Sequence, residues 1–341
     1  MSGYDGMFKA MGLEDWCGVE GEGGVMTMEQ LLAQTTGAQA EGEFLPFPSL
    51  DALHVSCEKI PQSRDLTAGL ETAFLSVKDA LKFVLDPLTQ PLSWMLDGSL
   101  ALFTFMPWWI LLPLLIAATY WVSRSVKVTA FVAFSLFFLG FIDHLTPAIQ
   151  TLSIVFVCTL ISVILGVPIG ILMSKNNSLQ RMSLPILDLL QTLPSFVYLI
   201  PLIFLFSVTE SKLYGIAIIL YAIVPIIRLT DLGIRLVDPD VIEAADAYGL
   251  SGRQKLWGVE LPLALPNIMA GLNQTIMMSL AMVVIASLVS APGLGVLVLR
   301  GIRNLELGVG LVAGLGIVLL AVILDRTSKA ALDRINTGRA R

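Results

Sequence analysis

Residues 243–262, EAADAYGLSGRQKLWGVELP, are polar and rich in helix-end signals, yet they lie between two long apolar runs near 213–236 and 264–291. Asp238 is placed to cap a helix whose first position is Pro239, and Gly249 suits a left-handed helix end. Ser251-Gly252-Arg253-Gln254 then reads as a capping box that opens a second short helix. That second helix is expected to stop near Gly258 and Pro262. In the first helix Val241, Ala244, Ala245 and Tyr248 recur at helical spacing, so one face is a narrow stripe of mostly small residues that lets another surface come close.

The runs on either side set the class of the whole chain. Of 341 residues 55% are hydrophobic and only 14% charged, with a mean hydropathy of +0.80. A soluble domain carries nearer a quarter charged residues, so this composition belongs to an integral membrane protein. A helix of roughly 20 apolar residues crosses a bilayer core of about 30 Å. Seven runs fit, near 100–122, 126–142, 148–173, 184–208, 213–236, 264–291 and 306–325, the second being the shortest. The expected fold is all-α with about seven membrane spans. The organisation follows: an N-terminal tail over 1–98, a membrane domain over 99–328 with a polar loop at 238–262, and a basic C-terminal tail over 329–341.

Charge divides unevenly along this plan. Residues 1–98 hold 15 acidic and 5 basic residues, a net of −10, which leaves the rest at about +4. Arg124 and Lys127 follow the first run, Lys175 and Arg181 the third, Arg253 and Lys255 the fifth. Arg326, Lys329, Arg334, Arg339 and Arg341 follow the seventh. Loops rich in Lys and Arg face the cytoplasm, so the expected topology is N-terminus outside and C-terminus inside a bacterial cytoplasmic (inner) membrane. The connections at 143–147 and 209–212 are poorer in positive charge, as this requires, although Arg300 and Arg303 run against it. The first thirty residues lack the charged-then-apolar pattern of a cleavable signal, so the tail is expected to cross as it stands.

Within the tail, residues 1 to about 62 show no sustained periodicity and read as irregular or partner-dependent. Residues 66–85 differ, because Leu66, Leu70, Ala73, Phe74, Val77, Leu81, Val84 and Leu85 repeat at helical spacing and make an amphipathic helix that Pro87 and Pro91 should end. It suits either the outer membrane surface or the tail of a neighbouring subunit. A disulfide between Cys17 and Cys57 is compatible with an oxidising periplasm, but the tail has no compact disulfide framework, so two unpaired thiols are expected. With His54 and His144 alone and no clustered spacing, no metal site is expected. In the membrane portion Gly166 with Gly170, and Gly310 with Gly314, are small-xxx-small pairs suited to close helix packing. Pro113, Pro168, Pro194, Pro201 and Pro225 fall within spans.

No G-x-x-x-x-G-K-[ST] phosphate loop occurs, so ATP cannot be hydrolysed here by that route. A polar hairpin too short to be a domain then makes sense as the contact surface for a separate motor. The full pattern of Glu243, Ala244, Ala245, Gly249 and the Val259-Glu260-Leu261-Pro262 ending resembles the EAA signature of ABC-importer permeases. The resemblance runs from about 145 to 328 and is similar to the glycine betaine and proline betaine branch, carried by LPILDLLQTLPSFVYLIPL at 184–202, PIIRLTDLGIR at 225–235, LPLALPNIMAGLNQTIMMSLAMVVIASLV at 261–289 and GLGVLVLRGI at 293–302.

That resemblance implies a type I ABC-importer permease fold and a loop that docks the ATPase through Glu243, Ala244, Ala245, Tyr248, Gly249, Arg253 and Pro262. It implies a second copy of the chain, two ATP-binding subunits, and a periplasmic or extracellular binding protein that delivers glycine betaine, proline betaine, choline or trimethylamine N-oxide. The partner ATPase would bind ATP and Mg; this chain is expected to hold no cofactor and to do no catalysis. Membrane lipid is an expected partner and nucleic acid is not.

Pathway residues are less determined. Asn267, Gly271, Thr275, Met278 and Met282 form a polar, small and soft stripe at helical spacing, with Asn273 and Gln274 beside it. Amides are costly in lipid, so they face either a pathway or other helices. Phe196, Tyr198 and Tyr221 offer π faces to a methylated ammonium, or serve as packing. A motor-independent channel or osmosensor would show the same spans without needing the polar loop. A membrane enzyme would need an intramembrane cluster of ionisable groups, which the sequence lacks.

Overall fold

A computed structural model describes residues 4–12, 17, 48–57 and 59–339. The chain falls into two compact units, 1–81 and 82–341.

The first unit contains α1 (Asp5–Ala10), α2 (Leu50–Ser56) and the opening turns of α3 (Ser63–Phe105). Ser49 caps α2 by accepting from the Ala52 amide at 3.2 Å. Tyr4, Phe8, Cys17 and Cys57 form a small core with Ala52, Leu53 and Ile60 against it. Cys17 and Cys57 are joined in a disulfide across a sequence separation of 40, which corrects the expectation of two unpaired thiols. One cluster of two aromatic rings is enough to gather the two sulfurs, and no wider framework is needed. The irregular stretch expected over residues 1–62 lies mostly outside the described residues, and where described it includes two short helices.

The amphipathic helix expected at 66–85 is present, but it does not end at Pro87 and Pro91. It continues to Phe105. Each proline removes one backbone hydrogen bond, yet in apolar surroundings the helix still satisfies the rest of the backbone better than an open chain does. Leu70, Val77 and Phe83 on this helix remain exposed. The first expected span, 100–122, is broken: α3 ends at Phe105, and α4 (Trp108–Ser123) departs at 114° from it across Met106 and Pro107. Pro107 disfavours helix at the residue before it, which accounts for the break.

The remaining runs appear as α5 (Val126–Phe141), α6 (Leu145–Lys175), a bent pair of α7 (Asn177–Thr192) with the segment Ser195–Leu205 that ends in α8 (Leu199–Leu205), and α9 (Ser211–Arg235). The bend of 104° falls at Leu193 and Pro194. After the hairpin come α12 (Leu261–Ala286), a short α13 (Leu294–Arg303) and α14 (Leu307–Arg339). Four described helical stretches pass alone as candidate spans, at 145–175, 211–235, 252–289 and 307–334. Up to six pass if each bent pair counts as one, and α5 is a shorter apolar helix.

Helices α6, α9 and α12 form the tightly packed centre, with α9 the most buried of the candidate spans. Glycines set their spacing. A Cβ on Gly170 would stand 2.6 Å from the Thr230 Cβ and 2.7 Å from the Ile227 carbonyl oxygen, and Gly166 meets Ile226 in the same way. The second small-residue pair is only half used: Gly310 lies against Gly301 of α13, while Gly314 faces open space. At the far end, Lys212 is buried between Asp86 at 2.7 Å and Glu210 at 2.9 Å, tying the Pro87 region of α3 to the start of α9.

Candidate coupling surface and pathway

The polar loop folds as a hairpin of α10 (Pro239–Ala247) and α11 (Gly252–Lys255). Asp238 accepts from the Asp240 amide at 3.0 Å, with Pro239 behind it at the first helical position. At the other end the Gly249 amide donates to the Asp246 carbonyl at 2.9 Å and the Leu250 amide to the Ala245 carbonyl at 3.2 Å, the bonding of a Schellman end. Gly249 has φ +76, a conformation that costs an L residue roughly 1–2 kcal/mol. Ser251 and Gln254 complete the capping box. Lys255 Nζ bridges to Asp246 at 2.7 and 2.9 Å, linking the two helices.

The expected stop at Gly258 and Pro262 does not occur. A π turn over Leu256–Glu260 carries α11 directly into α12, so the hairpin's second arm and the sixth span are one 38-residue helical stretch, Gly252–Val289. The Leu261 amide reaches back five residues to the Leu256 carbonyl, and this shift of register accommodates Pro262 without ending the helix.

Of the candidate coupling residues, Glu243, Ala244, Gly249 and Arg253 are exposed, and Tyr248 is 88% exposed. Ala245 is buried and Pro262 half-buried. The small-residue stripe is therefore split, with Val241, Ala244 and Tyr248 outward and Ala245 inward. A Cβ on Gly249 would touch nothing. Pro262 lines a separate apolar groove of about 690 Å³ between α6 and the base of α12, beside Trp257, Leu261 and Ile268.

Beneath the hairpin lies a polar belt that the sequence reading missed. Asp231, with its side chain 7% exposed, accepts from Arg235 at 2.8 Å and from Gln180 Nε2 at 2.6 Å. Arg235 also donates to Asn177 Oδ1 at 2.8 Å and to the Met173 carbonyl at 2.7 Å. Lys175 pairs with buried Glu260 at the start of α12. These bonds join the ends of α6, α7, α9 and α12, the four elements around the hairpin's base. The available signal was Asp231 and Arg235 at i, i+4 inside an apolar run, since intramembrane charges persist when paired.

The candidate pathway residues do not converge. Phe196 is 56% exposed, Tyr198 is buried with its hydroxyl donating to the Leu190 carbonyl, and Tyr221 is half-buried on α9. Asn267 packs its Cβ against Gly233. Asn273 donates to Asp325 at 3.1 Å and accepts from Ser328 at 2.8 Å, a bond between α12 and α14. Gln274 points outward and Met278 is half-buried. Thr275 is buried, and its hydroxyl has no partner among the described residues. Gly271 and Met282 pack within the core. An apolar cavity of about 540 Å³, lined in part by Thr119, Thr159, Leu272 and Ile276, includes none of the ten candidates.

Residues 162–336 match the family model for the binding-protein-dependent transport system inner membrane component. The chain belongs to that family. It is 40% identical over 247 residues to the glycine betaine/carnitine transport permease protein GbuB of Listeria monocytogenes, covering 71% of this chain and 87% of that one. It is 38% identical over 285 residues to the glycine betaine/proline betaine transport system permease protein ProW of Escherichia coli, covering 83% and 78%. In structure it resembles a chain of the MetNI methionine ABC transporter in inward-facing conformations (CY5 native crystal form), with TM-score 0.51 and 20% identity, covering 56% of this chain and 95% of that one. That likeness speaks to the fold, which is that of a type I importer permease. Membership makes the protein a multi-pass permease subunit of the inner membrane.

Proposed function

We propose that two copies of this chain form the pathway of an importer for a small methylated amine, each receiving one ATP-binding subunit on its Pro239–Lys255 hairpin. The observation that carries the reading is the hairpin itself: a fully capped helical pair, exposed along Glu243, Ala244, Tyr248 and Gly249, and seated on a polar belt that grips four helix ends. A surface so rigidly made and so uncovered suits a docking site. The names of these two relatives support glycine betaine or proline betaine as cargo, choline and trimethylamine N-oxide are methylated amines of the same kind, and the binding-protein-dependent family supports delivery by a soluble receptor outside the membrane.

ATP and Mg belong to the partner subunits in this scheme. Closure of the motor pair draws the two hairpins together and opens the pathway outward, and hydrolysis returns it inward; the hairpin transmits the difference in contact energy between the two states. The acidic tail lies outside and the basic C-terminus in the cytoplasm. The Cys17–Cys57 disulfide favours that orientation, because such bonds persist in oxidising compartments.

The test uses proteoliposomes containing the permease, its ATPase and its receptor. Glu243→Lys and Gly249→Val are expected to abolish ATP-dependent uptake of labelled glycine betaine and to lose the co-purifying ATPase, while both variants still insert and run as single species. Normal uptake by either variant overturns the docking assignment. Solute passage by the purified chain alone, without ATP, favours a channel instead.

A further inference from the structure

One membrane end of α4, α5 and α14 carries more positive charge than its internal bonds employ. Lys329 is paired with Asp325 at 2.8 Å, and Arg334 donates to the Trp121 carbonyl at 3.0 Å. Lys127 and Arg326, by contrast, are held in no ion pair among the described residues, although the Asp325 carboxylate, bonded to Lys329, also acts electrostatically on Arg326. Both cations line a groove of about 280 Å³ between α5 and α14, whose other walls are Val128, Phe131 and Val322. A polar hollow of about 320 Å³ shares Val128 and Arg326 with it and brings in Lys329, Arg334 and one carboxylate, Asp333, so cations still outnumber anions there. Along α5 the apolar wall continues one turn further to Phe134, which is 69% exposed.

The two halves of this groove ask for different chemistry. Two cations at the rim against one nearby carboxylate, already bonded to Lys329, leave room for an anion, and charge-assisted bonds to a phosphate are among the stronger ones that Lys and Arg make. A small soluble anion would leave the Phe131 and Val322 wall uncovered. An uncharged hydrocarbon would leave the cations unmet. Basic pockets between helices at a membrane face are places where anionic lipid headgroups bind.

We propose that this groove binds an anionic glycerophospholipid, its phosphate between Lys127 and Arg326 and an acyl chain along Phe131 and Phe134. The site is separate from the hairpin and from every candidate pathway residue.

Native mass spectrometry tests it on the full-length protein purified with its accompanying subunits and titrated with phosphatidylglycerol or phosphatidylcholine. Phosphatidylglycerol is expected to be retained preferentially. Lys127→Ala with Arg326→Ala should weaken that retention about twenty-five-fold, about five-fold for each cation removed. Lys127→Arg with Arg326→Lys keeps both charges and should keep the lipid, which separates loss of binding from loss of fold. Equal retention of phosphatidylcholine, unchanged retention by the double alanine variant, or displacement of the lipid by inorganic phosphate overturns the proposal. So does loss of a protein subunit from the double alanine variant with lipid retention unchanged, which would make the groove a docking site for an acidic peptide.

Discussion

The Pro239–Lys255 hairpin and the α6–α9–α12 centre are adjacent in the fold but are specified in opposite ways. The hairpin is written locally: each of its ends is fixed by a side chain or a glycine within a few residues, from Asp238 through Gly249 to the Ser251–Gln254 box. The centre is written at long range. Its spacing depends on Gly170 meeting Thr230 and on Arg235 reaching Met173, pairs separated by about sixty residues. A locally written element keeps its shape when its surroundings change, which is what a transmitting surface requires. A centre written by long-range fit has alternative packings to move between, which is what a gate requires.

The largest expected effect of breaking this contrast is in the belt that joins the two regions. Arg235→Ala leaves the buried Asp231 carboxylate with only Gln180 as partner among the described residues, and because the Arg235 side chain is itself 30% exposed the loss falls at the low end of that for a buried pair, on the order of 3 kcal/mol. Thermal unfolding of the purified variant should shift down sharply, and Asp231→Asn added to it should restore part of the loss. An unchanged melting temperature for Arg235→Ala would mean that the belt is not what holds the hairpin's base. Next in size is Gly170→Val, whose side chain must displace Thr230 or the Ile227 backbone; overpacking of this kind costs roughly 1–3 kcal/mol or more. The same substitution at Gly249, where a Cβ meets open space but φ is +76, should cost only the roughly 1–2 kcal/mol of the left-handed turn and lower the melting temperature less than Gly170→Val does, while transport fails.

That contrast also explains what could be read in advance. The hairpin's caps at Asp238 and Ser251 and its turn at Gly249 were legible because capping chemistry acts within four residues, whereas the expected stop at Gly258 and Pro262 was not met because a π turn carries the second arm into α12. Spans were legible as apolar runs, except where Pro107 and Pro194 each bent one, because hydropathy registers length and not direction. The polar belt was not legible: Gln180, Asp231, Lys175 and Glu260 lie on four different helices, and only the packing of those helices makes them partners. The same reason dissolves the stripe on α12. Spacing placed Asn273 beside Thr275, but the structure commits Asn273 to Asp325 on α14 and buries Thr275 against other helices.

Within the hairpin a smaller test separates docking from stability. Lys255 joins Asp246 at 2.7 Å with the Asp246 side chain 54% exposed, and a pair with one member open to solvent is worth about 1 kcal/mol at most. Lys255→Ala should therefore hardly change melting of the isolated permease. If the two arms must move as one body, it should still lower coupled ATP hydrolysis several-fold in the assembled transporter. Full coupling in that variant would show that caps alone hold the arms together.

The smallest effect belongs to the first unit, where one carboxylate ties two helix starts. Asp51 accepts from the Ser63 amide at 2.8 Å and from its hydroxyl at 2.7 Å, and these bonds hold its carboxyl below the ordinary aspartate range. A lowered folded-state value means that the contribution is fully present above the unfolded value, about 3.9, and is lost as pH falls through the folded one. Asp51 is fully exposed, so solvent screens the effect and it should be seen locally and not in global unfolding. Hydrogen exchange at the Ser63 amide is the matching probe: protection should fall as pH drops below about 4, once the acid dependence of the exchange chemistry itself is divided out. Asp51→Asn should remove that pH dependence and keep the neutral-pH protection partly intact through its side-chain carbonyl. If the variant retained the acid-dependent loss, the tie would have to come from another carboxylate, and Asp65, which accepts from the Gln62 amide at 3.0 Å at the same helix start, would be the next to replace.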